Sequence, residues 1–273
     1  MAKNETWPAG EGVTVTRILG GRSGSFLVSN GSRRLLVDTG TPQDRRRLAS
    51  ALDDLGVERI DWLVLTHTHY DHAGNARFVR ERFGARVAVH RAEAEYLASG
   101  LTDGEGVVPR GTNSPLRFAT DRLEGFLTRA LSFEPCAADL IVDGPLDFSG
   151  DGIDARIILT PGHSIGSISV IADGSVDVGG ADGAVTADSV ARDAPITGPV
   201  ALAGDAVFGA FPGSAFPPFA WDAGRLIASW TLLLETSCRV FIPAHGKPVA
   251  KALLERELKK RRPTVGVGED SHG

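Results

Sequence analysis

The chain's most constraining feature is a short apolar run, "DWLVLTH", that leads straight into "THTHYDHAGN", residues Thr66 to Asn75. Continuous apolar residues of this length read as a buried strand. Its end carries His67, His69 and His72 within six residues, with Asp71 among them, in a chain of only seven histidines. His67 and His69 alternate along an extended segment, so both rings can point the same way. Asp71 and His72 are adjacent at the start of the next helix and can diverge toward a second centre. One segment thus offers ligands for two metals, but Zn²⁺ at a catalytic site takes about three protein ligands plus an open position. More ligands are therefore required elsewhere.

They are found where other apolar runs end. His163 follows a strand in "ILTPGHS", Asp205 follows one in "ALAGDAV", and His245 follows one in "FIPAHGK". Each stands at a turn rich in Gly or Pro, where the backbone can aim a side chain into a cleft.

The rest of the pattern is a sheet covered by helices. "VTVTRILG" and "SFLVSNGSRRLLVDTG" alternate as half-buried strands, with Asn30-Gly31 as a hairpin signal. "TPQDRRRLASALDDLG" turns helical, with Leu48, Leu52 and Leu55 on one face, Arg45 to Arg47 on the solvated face and Gly56 as the stop. "GNARFVRERFG" and "RAEAEYLASG" are helices around the strand "ARVAVH", whose last residue, His90, has a structural role. Residues 100 to 116 read as a surface loop and "RFATDRLEGFLTRALSF" as a helix. "DLIVDG", "ARIILTPGH" and "SISVIADGS" are strands, the segment Gly179 to Pro199 is an excursion, and "WDAGRLIASWTLLLE" and "AKALLERELKKRR" are helices around the strand "RVFIPAHG". Two halves, about 1–150 and 151–273, repeat strands followed by helices, and a tail from about 264 holds His272. Two stacked sheets with helices outside would bury both sets of strands; periodicity alone is equally consistent with one larger sheet.

The series "THTHYDH", "TPGHS", "AGDAV" and "PAHGK", with "LLVDTG" upstream, resembles the metallo-β-lactamase superfamily from about Val13 to Lys247. The resemblance implies an α/β fold, a four-layered αβ/βα sandwich of two mixed sheets flanked by helices, built as a single domain over 1–273. It implies that His67, His69 and His163 hold a first metal, that Asp71, His72 and His245 hold a second, and that Asp205 bridges them. Asp38 in "LLVDTG" matches a carboxylate that supports a metal-binding His; a plain turn cap is the alternative. The cofactors so implied are two divalent metal ions, Zn in the first place, with Fe or Mn also suited to a mixed His/carboxylate site.

Composition narrows the partners. A net charge of -5 and a pI near 5.8 argue against a polyanion-binding surface, so nucleic acid is not expected. Cys136 and Cys238 stand alone, give no disulfide framework and read as buried fillers. No signal-peptide core and no run of ~18 apolar residues stands out, so a cytoplasmic enzyme without a membrane partner is expected, with a homo-dimer as an option. Two divalent cations against Asp71, Asp205 and one hydroxide leave the site about one unit positive, which favours an anionic small-molecule substrate and a developing oxyanion.

The expected reaction is hydrolysis, with a metal-bridging hydroxide attacking an ester-type carbonyl, thioester or lactone, and Asp71 as the catalytic residue that orients it and shuttles its proton. An aspartate at the bridging position disfavours penicillin hydrolysis. Glyoxalase II resembles the ligand set but not the segment "AVFGAFPGSAFPPFAWD", and acyl-homoserine lactonases share "PPFAWD"-like context but place a phenol that Tyr70 and Tyr96 do not match. Iron-dependent redox chemistry on the same fold, phosphodiester cleavage and a β-lactamase-type hydrolysis are the alternatives. Phe208, Phe211, Phe216, Phe219 and Trp221 either line the substrate cleft or pack beneath the next helix or at a dimer contact.

Overall fold

Strand periodicity sorts the apolar side chains into three layers of core. In the computed structural model, which describes residues 5–102, 131–174 and 198–261, the first sheet runs in chain order through seven strands. These are β1 (Thr6–Gly10), β2 (Val13–Leu19), β3 (Ser25–Asn30), β4 (Arg33–Val37), β5 (Trp62–Val64), β6 (Arg86–His90) and β7 (Leu140–Val142). The first four are antiparallel neighbours, and β4 to β7 are parallel. The second sheet has six strands in the order β13-β12-β11-β10-β9-β8. They are β8 (Leu146–Asp147), β9 (Ala155–Leu159), β10 (Ile168–Ala172), β11 (Val200–Gly204), β12 (Val240–Pro243) and β13 (Val249–Ala250), antiparallel except for β11 and β12. Both sheets are therefore mixed.

Between the sheets lie Leu35, Val37, Val64, Ile157, Val170, Leu202 and Ile242, while their sequence neighbours Leu36, Leu63 and Leu65 point to the opposite face. That second face is covered by α1 (Arg45–Asp54) through Leu48 and Leu52 and by α3 (Ala76–Phe83) through Val79 and Phe83. Gly84, at φ 68°, ends α3 in the left-handed conformation that a glycine adopts without Cβ strain. The far face of the second sheet, with Ala201, Ala203 and Phe241, is covered by α5 (Ala223–Glu235) and α6 (Lys251–Arg261) through Leu226, Trp230, Leu233, Leu254 and Leu258. Full burial of each such side chain contributes about 1.5–3 kcal/mol. The order is helix, sheet, sheet, helix: the four-layered sandwich. Two small helices complete the described set, α2 (Tyr70–Ala73) and α4 (Ala94–Ser99).

Some local expectations shift. The hairpin β3–β4 forms, but Asn30 pairs with Arg33, so the two-residue turn is Gly31-Ser32. Leu55 is not on the buried face of α1: it caps the helix and is 42% exposed. Strand β1 has no clear sequence signal because Pro8 and Gly10 both disfavour strands. It forms at the end of the first sheet, pairing along its length with β2, irregular between Pro8 and Gly10, and bridging through Gly10 to Gly174 beyond β10. Both cysteines are buried and free. His90 accepts a hydrogen bond from the Ala92 backbone and so starts the turn before α4. The basic residues closing α6 include Lys260 and Arg261, which pair with Glu257. The 117–133 helix, the 179–199 excursion and the tail from 264 lie wholly or largely outside the described residues.

Candidate metal centre

Each candidate ligand leaves the end of a strand or the helix that follows it. β5 releases His67 and His69, and α2 carries Asp71 and His72. His163 follows β9, Asp205 follows β11 and His245 follows β12. Two parallel pairs, β4–β5 and β11–β12, thus deliver polar loops to one end of the sandwich, where apolar strands no longer claim the space. The His245 loop needs a close backbone approach: a Cβ on Gly246, at φ 93°, would stand 2.1 Å from the Gly209 carbonyl carbon. Without one, Gly209 donates to the His245 carbonyl at 2.8 Å and accepts from Lys247 at 3.1 Å.

All seven side chains converge. His67 Nε2 lies 2.9 Å from His69 Nδ1, and His163 Nε2 lies 3.1 Å from the same His69 nitrogen. Asp71 Oδ2 is 3.3 Å from His245 Nε2. Asp205 stands between the groups, its Oδ2 3.4 Å from both His163 Nε2 and His245 Nε2 and its Oδ1 3.5 Å from His72 Nε2. Two of the clusters able to hold a cation are His67/His69/His163 and Asp71/His72/His245, and a third joins His67 and His72 to Asp205.

The outer partners fix which nitrogen faces inward. The Phe219 carbonyl accepts from His163 Nδ1 at 3.0 Å, which leaves the Nε2 lone pair for the centre. Asp38, 1% exposed, does this for two rings. Its Oδ2 is 2.8 Å from His72 Nδ1 and also accepts from the Thr66 hydroxyl at 2.7 Å; that hydroxyl in turn lies 3.1 Å from His67 Nδ1. The Thr66 backbone N–H donates to Asp38 Oδ1 at 2.8 Å. Asp38 is the sole non-glycine at positive φ, 58°, among the described residues, a conformation Asp tolerates better than most.

Charge divides the site. Burial, with neighbouring imidazoles, holds His67 well below its ordinary range and His69 down at about 3. Burial also opposes charge on His72, but Asp38, Asp71 and Asp205 outweigh it and raise that ring to about 9. At His245, burial is likewise outweighed by Asp205 and Asp71, and the ring rises to about 10. Against the same burial, His72 and His245 bring Asp71 down to about 2, while His163 and His72 hold Asp205 far below the usual carboxylate range.

The residues fit a metal. Among the described residues, His69 Nε2, His72 Nε2 and Asp205 Oδ1 are buried without a hydrogen-bond partner, a costly state that buried polar atoms normally avoid. Two of the three, His72 Nε2 and Asp205 Oδ1, face each other across the centre where a cation would satisfy both.

The aromatic segment after Asp205 divides between two surroundings. The Phe208 ring stacks 5.2 Å from His245 and 5.3 Å from Phe211. Phe216 instead packs on Trp230 beneath α5, with Arg261 over its face. Trp221 donates its backbone N–H to the His163 carbonyl at 3.0 Å. Phe211 is 49% and Phe219 45% exposed.

Two positions of the site escaped the sequence reading. Asn75 is buried and donates its amide to the carbonyls of Thr39 and Thr41 at 2.9 and 2.7 Å, which holds the loop after Asp38 against α2. Glu93 is buried and accepts from Thr68, Ser164 and Gly166. Asn75 stands next to the histidine motif, a signal that could have found it; Glu93, inside the helical segment "RAEAEYLASG", carries no local signal of its own.

The profile of the metallo-beta-lactamase superfamily matches residues 20–245, and the chain belongs to that superfamily. Among similar proteins is the hydroxyacylglutathione hydrolase of Acidiphilium cryptum, 27% identical over 161 residues that cover 59% of this chain and 49% of the relative. The atrochrysone carboxyl ACP thioesterase of Aspergillus fumigatus is 27% identical over 161 residues, covering 55% of this chain and 38% of the relative. The chain spans half or less of the length of both. A metallo-beta-lactamase of Cronobacter sakazakii, a HARLDQ motif mutant, superposes with a TM-score of 0.59 over 94% of this chain and 93% of that one at 20% identity, a likeness of fold.

Proposed function

We propose that the protein is a dinuclear metal-dependent hydrolase of ester-type carbonyls, thioesters or lactones. His67, His69 and His163 would hold one divalent ion, Asp71, His72 and His245 the other, and Asp205 would face both. Zn is the first choice for this donor set, and Fe or Mn also suits its mixture of imidazole and carboxylate. The observation that carries the reading is the convergence of seven donors around buried polar atoms that have no hydrogen-bond partner among the described residues.

Bound cations of this kind supply a hydroxide nucleophile at neutral pH and polarise the acyl oxygen. The chain's own residues do the positioning. Asp38 and the Phe219 carbonyl hold the outer nitrogens of His72 and His163, so that Nε2 of each ring is turned to the centre. Asp71, ionised at neutral pH and partly exposed, is placed to orient the attacking water and to pass on its proton. Phe211, Phe219 and Ile165 expose apolar surface on segments that touch His245 or carry His163, which supports a small-molecule substrate with an apolar group beside the carbonyl. An anionic part of that substrate would be drawn to the excess positive charge of the loaded centre. No helix of the described residues is long and apolar enough to cross a membrane; a cytoplasmic setting, no nucleic-acid partner and a homo-dimer belong to the same proposal.

Elemental analysis of protein purified without chelator, run beside a hydrolysis screen of thioesters, lactones, β-lactams and phosphodiesters, tests it. About two Zn per chain with thioester or lactone turnover is expected. Bound iron with oxygen uptake and no hydrolysis would overturn the reaction class.

A further inference from the structure

The two loops that build the three-histidine cluster are about a hundred residues apart in sequence and come from different sheets. One buried carboxylate joins them. Glu93, in the turn before α4, is 1% exposed. Its Oε2 accepts from the Thr68 backbone N–H at 3.0 Å and from the Thr68 hydroxyl at 2.5 Å. Its Oε1 accepts from the Ser164 hydroxyl at 2.6 Å and from the Gly166 backbone N–H at 3.1 Å. Thr68 stands between His67 and His69, and Ser164 follows His163. Each carboxylate oxygen therefore grips one ligand-bearing loop.

The fit is tight on the second loop. A Cβ on Gly166 would approach Glu93 Cγ to 2.5 Å. Ser164 is further held by Ser167, whose hydroxyl lies 2.8 Å from Ser164 Oγ and accepts from the Ser164 N–H at 3.0 Å. Four donors on one buried carboxylate make an acceptor-only clamp, and both of its oxygens are required.

We propose that Glu93 is a positioning residue that sets the separation of the His67/His69 loop from the His163 loop, and so the affinity of the three-histidine cluster for its cation. It touches none of the seven candidate ligands in a hydrogen bond and acts through Thr68, Ser164 and Gly166. The inference rests on the two-ion reading above. Glu93→Gln is the sharp variant, because it keeps the shape but turns one acceptor into a donor. Whichever loop faces the new NH₂ then has a backbone N–H without its acceptor.

The test uses zinc alone, titrated against a chromophoric chelator. Wild type taking up two Zn²⁺ and His245→Ala retaining one tight ion establish the two-ion reading independently of Glu93. Adding Glu93→Gln to His245→Ala is expected to weaken the remaining ion by about 10–100-fold, the usual effect of losing an outer partner. Ser164→Ala and Thr68→Val, which remove one hydroxyl each and leave the backbone bonds, are expected to weaken it less and serve if Glu93→Gln fails to fold. The melting temperature of the metal-free proteins is recorded alongside. A lower melting temperature with unchanged zinc affinity in Glu93→Gln, or unchanged affinity in both single-hydroxyl variants where Glu93→Gln does not fold, overturns the proposal.

Discussion

The two halves of the candidate centre stand side by side yet hold their histidines in opposite states. Around His67 and His69 burial dominates, and the rings are neutral long before pH 7 because their titration is pushed down, to about 3 for His69. Around His72 and His245 the carboxylates of Asp38, Asp71 and Asp205 dominate, and the rings are raised to about 9 and about 10. Depth alone does not explain this, since His67 and His72 are both fully buried. The difference lies in what is buried with them: imidazoles on one side, anions on the other. One cluster is preorganised as lone pairs, and the other is held together by protons that a metal must displace.

Asp205 belongs to both sides, so removing it should have the largest effect. Asp205→Ala takes away the carboxylate that faces His72, His163 and His245, and zinc affinity should fall by more than the ~100-fold typical of an outer partner. Stoichiometry by elemental analysis and hydrolysis rates should fall together. Asp38→Ala comes next. It strips the partner of His72 and, through Thr66, of His67, so both zinc affinities should weaken by about 10–100-fold; weakening of only one would mean that the Thr66 relay does not orient His67.

Proton release sharpens the contrast further. A histidine must shed its extra proton to bind a metal. His72 and His245, raised above neutrality, still carry theirs at pH 7, whereas the depressed His67 and His69 do not. Zinc binding to the Asp71/His72/His245 cluster should therefore release about two protons and tighten as pH rises toward 9 to 10. His67 and His69 should contribute almost no proton release near neutrality. Calorimetry in buffers of different ionisation enthalpy measures this, and equal proton release from both ions would remove the distinction. The smallest effect should come from Phe211→Ala at the exposed rim. Stability should stay within about 0.5 kcal/mol, while kcat/KM for long against short acyl groups shifts by about 10-fold. A change in stability with an unaltered substrate ratio would assign Phe211 to packing.

Much of the centre was legible because its ligands sit where strong local signals end. An apolar run marks β5, β9, β11 and β12, and a histidine or aspartate in a Gly- or Pro-rich turn marks where each run stops. Helix α1 was legible through the spacing of Leu48 and Leu52, with Leu55 the exception, and α3 and α5 were legible as segments, whose buried residues are Val79 and Phe83, and Leu226, Trp230 and Leu233. Strand β1 was not, since Pro8 and Gly10 argue against it, and what accommodates them is tertiary: an end position in the sheet and a close approach of Gly10 to Gly174 that leaves no room for a Cβ. The aromatic segment was ambiguous for a similar reason: Phe208 and Phe216 are the same residue type eight positions apart, and only their neighbours, His245 for one and Trp230 for the other, separate them.

The sequence by itself determined the residue types of the site, the strand ends that carry them and the family to which they belong, because strand burial and turn chemistry are properties of a few neighbouring residues. Only the tertiary structure decided which rings are neutral and which are charged, which nitrogen of each faces inward, and that Glu93 rather than a solvated side chain joins Thr68 to Ser164. Those outcomes depend on contacts between residues tens of positions apart, whose distances and shared burial no local pattern contains.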